Sequence, residues 1–269
     1  MKKIIAIIGS PKMGDTYEAV RGFEEELKAL CDCNFEYVQL KDAYVQTCRG
    51  CLACVEKGAE FCPLRDDTAQ IMEKLLAADG IIFATPVYSL SISGQLKIFI
   101  DRIAYVFHRP CFFDKAFISI TVQAINGSKD AHAYLNKIAH VWGLTAAPGL
   151  SLNTPPGFRS AKTLANNAEK TRKAASGYAA ILCGNRLKAP TWKDFITFHM
   201  TRSFIPYIPF MAKDAEYYGE KGWMVSDYYY PVKISFLRKF IGRFFDGQGK
   251  KLGEKVKARR EKETQAAKA

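Results

Sequence analysis

Four cysteines in one short stretch have the residue type and spacing to bind a metal. Cys48, Cys51, Cys54 and Cys62 follow the pattern C-x2-C-x2-C-x7-C, and Pro63 comes directly after the last one. Three thiolates at three-residue spacing can bind three corners of a cubane cluster, and a later cysteine can bind the fourth. Structural zinc sites more often contain two separated C-x2-C pairs. The spacing therefore favours a 4Fe-4S cluster, with zinc or unliganded thiols as the alternatives.

A second stretch with binding chemistry follows the first predicted strand. Ile4 to Ile8 is an almost unbroken apolar run, which is typical of a parallel strand covered on both faces. The turn GSPKMGDT then runs from Gly9 to Thr16, where helical spacing begins. Such a turn points backbone N–H groups and the positive end of a helix dipole at one place, which suits a phosphate. A plain turn is the alternative. The predicted binding residues of this turn are Ser10, Lys12, Gly14, Asp15 and Thr16.

Two later loops are expected at the same edge of the sheet. The segment from Thr85 to Gly94 follows the third predicted strand, and the segment from Ala124 to Ser128 follows the fourth. Proline and small residues would keep the backbone of the first of these loops accessible, so that a flat apolar ring could lie over Val87 and Tyr88. A helix-capping turn with Ser93 as the cap is the alternative.

The three loops together resemble those of one enzyme family. The pattern T-P-V-Y-x4-S-x2-L-K-x-F-I-D-R, from Thr85 to Arg102, and the first turn are similar to those of the flavodoxin-like NADPH-dependent FMN reductases. This resemblance extends over Met1 to Cys183 and implies that the first turn holds the phosphate of FMN. It also implies that NAD(P)H is the electron donor. The residues that it places near the flavin ring are Pro86, Val87, Tyr88, Ser89, Asn126 and Gly127.

Two details of the resemblance bear on the cofactors. The cysteine spacing after the second strand resembles that of the iron–sulfur flavoproteins within the same family, which implies a 4Fe-4S cluster in addition to FMN. Asp15 stands where family members often have Asn, and a carboxylate beside a phosphate is repulsive. We therefore expect the Asp15 side chain to cap the helix together with Glu18, or to face away from the phosphate.

Alternating apolar strands and amphipathic helices fill the first part of the chain. Strands are predicted at residues 4–8, 35–40, 80–85, 116–123 and 147–152, and helices at 16–30, 68–76, 93–106, 130–142 and 161–183. Such alternation predicts a parallel sheet with helices on both faces. The expected fold is a flavodoxin-like, doubly wound α/β sheet of five strands in the order 2-1-3-4-5. We predict an FMN-binding domain at 1–186, which contains the Cys-rich loop at 48–62, and an extension at 187–269.

The extension is aromatic in its first half and basic in its second. The stretch from Trp192 to Met211 is rich in Phe, and Lys233 to Phe245 is an amphipathic segment with a basic side. We expect a mainly helical extension that packs on its own domain or on a second protomer of a homodimer or tetramer. The alternative is peripheral contact of residues 233–260 with a membrane surface. The basic end is expected to be a solvated tail, with no nucleic-acid binding.

Composition and charge limit the class of protein. The chain has 269 residues, 48% of them hydrophobic and 25% charged, with a net charge of +12. These values suit a globular protein of one domain plus an extension. No secretory signal is expected before the first strand, and no apolar run approaches the roughly 18 residues of a membrane span. Eight cysteines in a chain of this length favour a reducing compartment. We expect a cytoplasmic protein that is at most peripheral to a membrane.

The predicted function is electron transfer by an FMN-dependent oxidoreductase. FMN and a cluster would connect a two-electron donor, NAD(P)H, with a small-molecule or protein redox partner. No catalytic residue is predicted, because no pair of side chains has the spacing of a catalytic dyad, and the histidines are expected to be structural. Cys31, Cys33, Cys111 and Cys183 are expected to be buried or without a role. The alternative function is a non-catalytic flavodoxin-like carrier or redox-responsive binding protein that docks through its extension.

Overall fold

The computed structural model describes residues 1–155, 157, 159–184, 187 and 189–266. Residue 186, the predicted end of the first domain, and residues 188 and 267–269 of the predicted extension lie outside the described residues. The chain divides into two compact units. The first comprises Met1–Arg49 and Leu64–Arg186, and the second comprises Gly50–Pro63 and Leu187–Ala269. Most of the Cys-rich loop therefore belongs to the same unit as the extension.

A parallel sheet forms the centre of the first unit. Its strands are β1 (Lys2–Ile8), β2 (Cys33–Gln39), β3 (Gly80–Pro86), β4 (Ala116–Gln123), β5 (Thr145–Ala146) and β6 (Leu150–Asn153). The strands pair in parallel in the order β2-β1-β3-β4-β5, and β6 pairs with β4 farther along the same edge. The predicted flavodoxin-like order is confirmed.

The strand predicted at residues 147–152 is divided into two short pieces. β5 pairs with the start of β4 and β6 pairs with its end, and Pro148 and Gly149 interrupt the ladder between them. Pro148 has no N–H group to donate to a neighbouring strand. Gly149 lies against the ring of His132, where a Cβ would be 2.2 Å from the His132 Nδ1. The missing donor at Pro148 accounts for the break, and the close approach of the histidine requires glycine at position 149.

Helices cover both faces of this sheet. In chain order the helices of the described residues are α1 (Asp15–Lys28), α2 (Ala53–Glu56, in the second unit), α3 (Thr68–Ala77), α4 (Gly94–Arg102), α5 (Ser128–Trp142), α6 (Ala161–Leu182), α7 (Trp192–Phe204), α8 (Ala212–Glu220) and α9 (Phe236–Ala266). Ile5 and Ile7 of β1 belong to the core that contains residues of α3, α4 and α5. Ile4, Ala6 and Ile8 belong to the core that contains residues of α1 and α6. Successive residues of β1 thus alternate between two cores, as the period of a strand requires.

A half-buried carboxylate joins α7 to α9 in the second unit. Asp246 of α9 accepts hydrogen bonds from Arg202 Nε at 2.8 Å and from Ser203 Oγ at 2.8 Å. Its other oxygen lies 3.0 Å from His199 Nδ1 and 2.5 Å from Arg202 Nη2. The hydrogen bonds from Arg202, His199 and Ser203 hold the pKa of Asp246 well below its usual value, against the opposing effect of burial. The network fixes the register of the two helices, because its donors all lie on α7.

Glycines and aromatic side chains complete the packing of this unit. A Cβ on Gly249 would lie 2.5 Å from the Met200 carbonyl oxygen, and one on Gly253 would lie 2.8 Å from Tyr207. Trp223 packs edge-on against Tyr218 and Tyr229, and its Nε1 donates to the Tyr229 carbonyl at 2.8 Å. The predicted helical extension is therefore present, with its aromatic residues forming their own core. No helix among the described residues combines the length and apolarity that crossing a bilayer requires.

Candidate functional site

The loop from β1 to α1 leaves the sheet through a position that only glycine fits. Gly9 N donates to the Ala84 carbonyl of β3 at 2.8 Å. A Cβ on Gly9 would lie 2.7 Å from the Leu96 Cβ and 2.8 Å from the Ser93 Oγ. Gly9 therefore holds the start of the predicted phosphate loop directly against the N-terminal turn of α4, where the loop after β3 ends.

The N-terminus of α1 has the donors that a phosphate needs. Its cap position is Gly14, and no side chain caps the helix, whereas Ser93 caps α4 and Ser160 caps α6. Uncapped N–H groups at a helix start need a partner, and an anion can supply it. Thr16 is buried in the first turn, and Ser10 is buried in the loop, where its Oγ donates to the Lys12 carbonyl at 2.8 Å. These donors, together with the exposed Lys12, fit the phosphate of FMN.

Asp15 does not cap α1. Its Oδ1 accepts a hydrogen bond of 2.5 Å from Nη2 of Arg159, which lies between β6 and α6. The ion pair offsets the negative charge that Asp15 would otherwise place beside a bound phosphate. Arg159 is a residue of this site that the sequence did not reveal, because the two partners are 144 positions apart and no spacing pattern marks the arginine.

The loop after β3 presents a small aromatic turn to solvent. Tyr88 and Ser91 exchange two backbone hydrogen bonds of 3.0 Å, with Ser89 and Leu90 in the left-handed region at φ of 49° and 64°. The Tyr88 ring is 48% exposed. At the end of the loop Ser93 Oγ accepts from Leu96 N and caps α4. The two interpretations of this sequence are thus compatible, because the cap and the exposed turn use different residues.

The loop after β4 packs directly on this aromatic turn. Gly127 has a φ of 102°, and a Cβ there would lie 2.7 Å from Val87 Cγ1 and 2.9 Å from Leu90 Cα. Asn126 beside it is exposed. Behind the loop, the Gln123 Oε1 accepts from Ser128 N at 2.9 Å and so caps the start of α5. The second and third loops therefore form one continuous surface.

All three loops leave the carboxyl ends of neighbouring parallel strands. Ligands of doubly wound sheets bind at this edge. The cofactor roles of the residues in these loops stay predictions. The predicted residues that lie on them are Ser10, Lys12, Gly14, Asp15, Thr16, Pro86, Val87, Tyr88, Ser89, Asn126 and Gly127.

The predicted cluster ligands do not form a metal site in this structure. All eight cysteines of the chain are thiols. Cys48 and Cys51 are exposed, while Cys54 lies on α2 and Cys62 follows a short 3-10 helix. Over the residues that the structure describes, no three His, Cys, Asp or Glu side chains are grouped so that they could hold a metal ion. The 4Fe-4S cluster therefore stays a prediction from the cysteine spacing.

A polar network behind the third loop contains His132. His132 Nδ1 lies 2.6 Å from Ser119 Oγ, and its Nε2 lies 2.9 Å from Ser151 Oγ and 3.0 Å from Thr121 Oγ1. Burial lowers the pKa of His132 to about 4. At neutral pH the ring is therefore uncharged and bridges β4, α5 and β6 through hydroxyl groups.

A profile of the NADPH-dependent FMN reductase family matches residues 2–157. An iron-sulfur flavoprotein of Archaeoglobus fulgidus is 34% identical over 146 residues, which cover 53% of this chain and 64% of that protein. An iron-sulfur flavoprotein of Methanocaldococcus jannaschii is 41% identical over 103 residues, which cover 37% of this chain and 51% of that protein. The chain thus spans between half and two thirds of these two relatives.

A solved structure supports the fold over a longer stretch. An NAD(P)H:quinone oxidoreductase from Methanothermobacter marburgensis aligns with a TM-score of 0.55 at 15% identity. The alignment covers 70% of this chain and 99% of that one. At this identity the likeness concerns the fold alone.

Proposed function

The chain belongs to the NADPH-dependent FMN reductase family, and we propose that it is a flavin oxidoreductase that binds FMN and takes electrons from NAD(P)H. The observation that carries the proposal is the meeting of three loops at one edge of the sheet. Gly9 of the first loop touches the cap of α4, and Gly127 of the third loop touches the aromatic turn of the second. The uncapped start of α1 belongs to the same edge.

The phosphate of FMN would bind at the first turn of α1. Backbone N–H groups after Gly14 would donate to it, and the hydroxyls of Ser10 and Thr16 would add side-chain donors. Lys12 would supply a positive charge. Arg159 keeps the neighbouring Asp15 carboxylate paired, so that the net charge around the phosphate is favourable.

The flavin ring would lie against the surface formed by the second and third loops. Val87 and Tyr88 offer an apolar face, and Asn126 and the backbone of Gly127 offer polar groups. FMN, when bound, accepts a hydride and releases electrons singly or in pairs. The task of this chain is then to orient the ring and exclude water from one of its faces. No acid–base side chain is required for that task.

The 4Fe-4S cluster stays a prediction that the cysteine spacing and the names of two relatives support. The placement of Cys48, Cys51, Cys54 and Cys62 in this structure does not support it. Analysis of iron and acid-labile sulfide in anaerobically purified protein distinguishes a protein with the cluster from one without it. We expect iron that is lost in Cys51→Ser but kept in the control Cys111→Ser. Protein with full FMN and no iron would remove the cluster and leave the flavin reductase proposal intact.

Turnover with reduced nicotinamide separates an enzyme from a non-catalytic carrier. We expect anaerobic NADPH or NADH to bleach the flavin absorbance of FMN-loaded protein, and we expect continued nicotinamide oxidation when a quinone or free flavin is added as acceptor. A protein that binds FMN but is not reduced by either nicotinamide would favour the carrier. A protein that binds no FMN would contradict both functions.

A further inference from the structure

Two cysteines outside the metal-spaced group lie in contact. Cys31 follows α1, Cys183 follows α6, and their Sγ atoms are 2.9 Å apart although the residues are separated by 152 positions. Cys31 N donates to the Leu27 carbonyl and Cys183 N to the Ala179 carbonyl, each at 2.9 Å. Both cysteines are therefore fixed by the hydrogen bonds of the helices that they follow.

The separation and exposure of the two thiols suit oxidation to a disulfide. The Sγ–Sγ distance of 2.9 Å is within about 1 Å of the disulfide bond length of about 2.05 Å. Cys183 is exposed and Cys31 is half-buried, so an oxidant in solution reaches Cys183 first. Burial and the hydrogen bond to Cys183 raise the pKa of Cys31 to about 12, so Cys31 stays protonated and is not the thiol that reacts first with an oxidant.

We propose that Cys31 and Cys183 are a redox-responsive pair that closes to an intramolecular disulfide on exposure to a peroxide. Cys183 sulfur attacks one peroxide oxygen and the O–O bond breaks, which gives a sulfenic acid and one water. Cys31 sulfur then attacks the sulfenic sulfur, the S–S bond forms and the S–O bond breaks, which releases the second water. The two thiols lose two electrons and two protons in all, and one peroxide becomes two waters.

The bond would join the C-terminal ends of α1 and α6. These helices pack on the same side of the sheet, where Phe23 and Tyr178 meet edge-on at 5.7 Å. Closing so long a loop of the chain restricts the unfolded state, which is the main way in which a disulfide stabilises a protein. Oxidation is thus expected to raise the thermal midpoint of the full chain.

Thiol counting and peptide mapping test the pair. After limited hydrogen peroxide we expect the wild type to lose two titratable thiols, a Cys31–Cys183 peptide to appear without reductant, and the thermal midpoint to rise. We expect Cys183→Ser and Cys31→Ser to yield neither the peptide nor the rise, and Cys111→Ser to behave as wild type. Any of three results would overturn the proposal: a dominant disulfide between other cysteines, oxidation of Cys183 to a sulfinic acid without a cross-link, or an unchanged midpoint.

A separate observation concerns the exposed face of α9. Gly242, Gly249 and Gly253 lie on the face that packs within the second unit, where Cβ atoms would clash with His199, Met200 and Tyr207. On the opposite side, Phe236, Leu237, Phe240 and Phe244 are 86%, 62%, 67% and 58% exposed. At about 100° per residue these four side chains share one arc of the helix. Three phenylalanines in one exposed arc are unusual for a soluble surface.

The charges around this arc select the kind of surface that would cover it. Residues 233–260 contain ten basic and two acidic residues. One acidic residue, Asp246, is already bound to Arg202, and the other, Glu254, pairs with Lys250. A second copy of this face would bring like charges together, which is unfavourable. A surface with negative charge and an apolar interior matches both the cations and the phenylalanines.

We propose that the exposed face of α9 binds the surface of an anionic lipid bilayer, with the phenylalanines at the headgroup boundary and the neighbouring cations on the lipid phosphates. Arg243 and Lys251 are exposed cations of the same helix. Each basic residue near such a surface adds attraction that salt weakens. Binding should therefore need both the apolar side chains and the charge of the lipid.

Vesicle cosedimentation of the full chain tests this surface. We expect binding to phosphatidylcholine vesicles that contain phosphatidylserine, at least tenfold weaker binding to phosphatidylcholine alone, and weakening by salt. We expect Phe240→Ser with Phe244→Ser to lower binding at least tenfold. The control Val225→Ser, at another apolar position that is 88% exposed, should leave binding unchanged. Equal binding to both vesicles, or no effect of the phenylalanine variant, would overturn the proposal. An oligomer that this variant dissociates, with no vesicle binding, would assign the face to a second copy.

Discussion

Arg159 donates a hydrogen bond of 2.5 Å to Asp15, the first residue of α1. Arg159 lies just before α6, so this contact joins the N-terminal ends of α6 and α1. At the other end of the same two helices the sulfur atoms of Cys31 and Cys183 touch. The two helices are thus linked at both ends, and the charge pair lies at the end that carries the predicted phosphate site.

Replacing the arginine should weaken FMN binding with little loss of stability. In Arg159→Ala the Asp15 carboxylate would face the phosphate without a counter-charge. Two like charges about 4 Å apart repel each other by roughly 1–4 kcal/mol, from bulk water to a protein surface, so we expect a loss of about tenfold in affinity, measured by flavin fluorescence titration. Both side chains are more than a third exposed, so the pair itself adds little to stability. The double variant Asp15→Asn, Arg159→Ala should recover most of the affinity. Unchanged affinity in Arg159→Ala would show that Asp15 does not act on the phosphate.

The phosphate loop itself should respond to loss of its donors. We expect Ser10→Ala combined with Lys12→Ala to lower FMN affinity tenfold or more, because a hydroxyl and a charge are removed together. Lys137→Ala, which removes an exposed lysine from α5, is the matched control for charge and should bind as wild type. If the double variant also binds FMN normally, the loop is not part of the site.

Much of the first unit follows from local sequence, because its strands are buried on both faces. Ile4 to Ile8 has no polar residue to face solvent, and the structure places each of these side chains in a core. The order of the strands follows from the alternation with helices. The sequence does not reveal the interruption at Pro148, because apolar residues continue on both sides of the proline and predict one uninterrupted strand. A proline interrupts a strand only where its missing N–H group would have bonded to the adjacent strand, and the sequence does not show which strand is adjacent.

Long-range contacts explain what the sequence did not show. The partner of Asp15 lies 144 positions away, and the contact between Cys31 and Cys183 depends on two helices ending side by side. The grouping of Gly50–Pro63 with the extension also has no local signal. It arises because α2 packs against α8, and helix–helix contacts between distant segments leave no spacing pattern in either one.

The close packing of the second and third loops gives a steric prediction. Alanine at Gly127 would have to adopt a φ of 102° and fit 2.7 Å from Val87. Backbone strain of this kind costs about 1–3 kcal/mol, so we expect Gly127→Ala to lower the free energy of unfolding and to weaken FMN binding. Gly22→Ala on α1, where a Cβ meets nothing within 4 Å, should instead raise stability by up to about 1 kcal/mol. Urea unfolding and FMN titration measure the two effects, and equal behaviour of the two variants would exclude the packing argument.

His132 should make the first unit less stable as the solution becomes acidic. Its pKa is near 6.5 in the unfolded chain and about 4 in the folded protein, so above pH 6.5 both states are neutral and the histidine adds no pH dependence. As the pH decreases from 6.5 to 4, the histidine is protonated in the unfolded state before it is protonated in the folded state. The free energy of unfolding therefore decreases as the pH decreases. The fall is at most about 3 kcal/mol, and less because the ring is partly exposed.

The variant His132→Gln isolates this contribution, because glutamine keeps polar atoms near Ser119 and Ser151 but does not titrate. We expect its urea midpoint to change less between pH 6.5 and 4 than that of the wild type, whatever its absolute stability. His140→Gln, at an exposed position of the same helix, should keep the wild-type slope. A wild-type slope in His132→Gln would mean that the acid sensitivity arises elsewhere. The hydroxyls of Ser119, Thr121 and Ser151 would then tolerate a charged imidazole, since each can turn its oxygen toward an N–H donor.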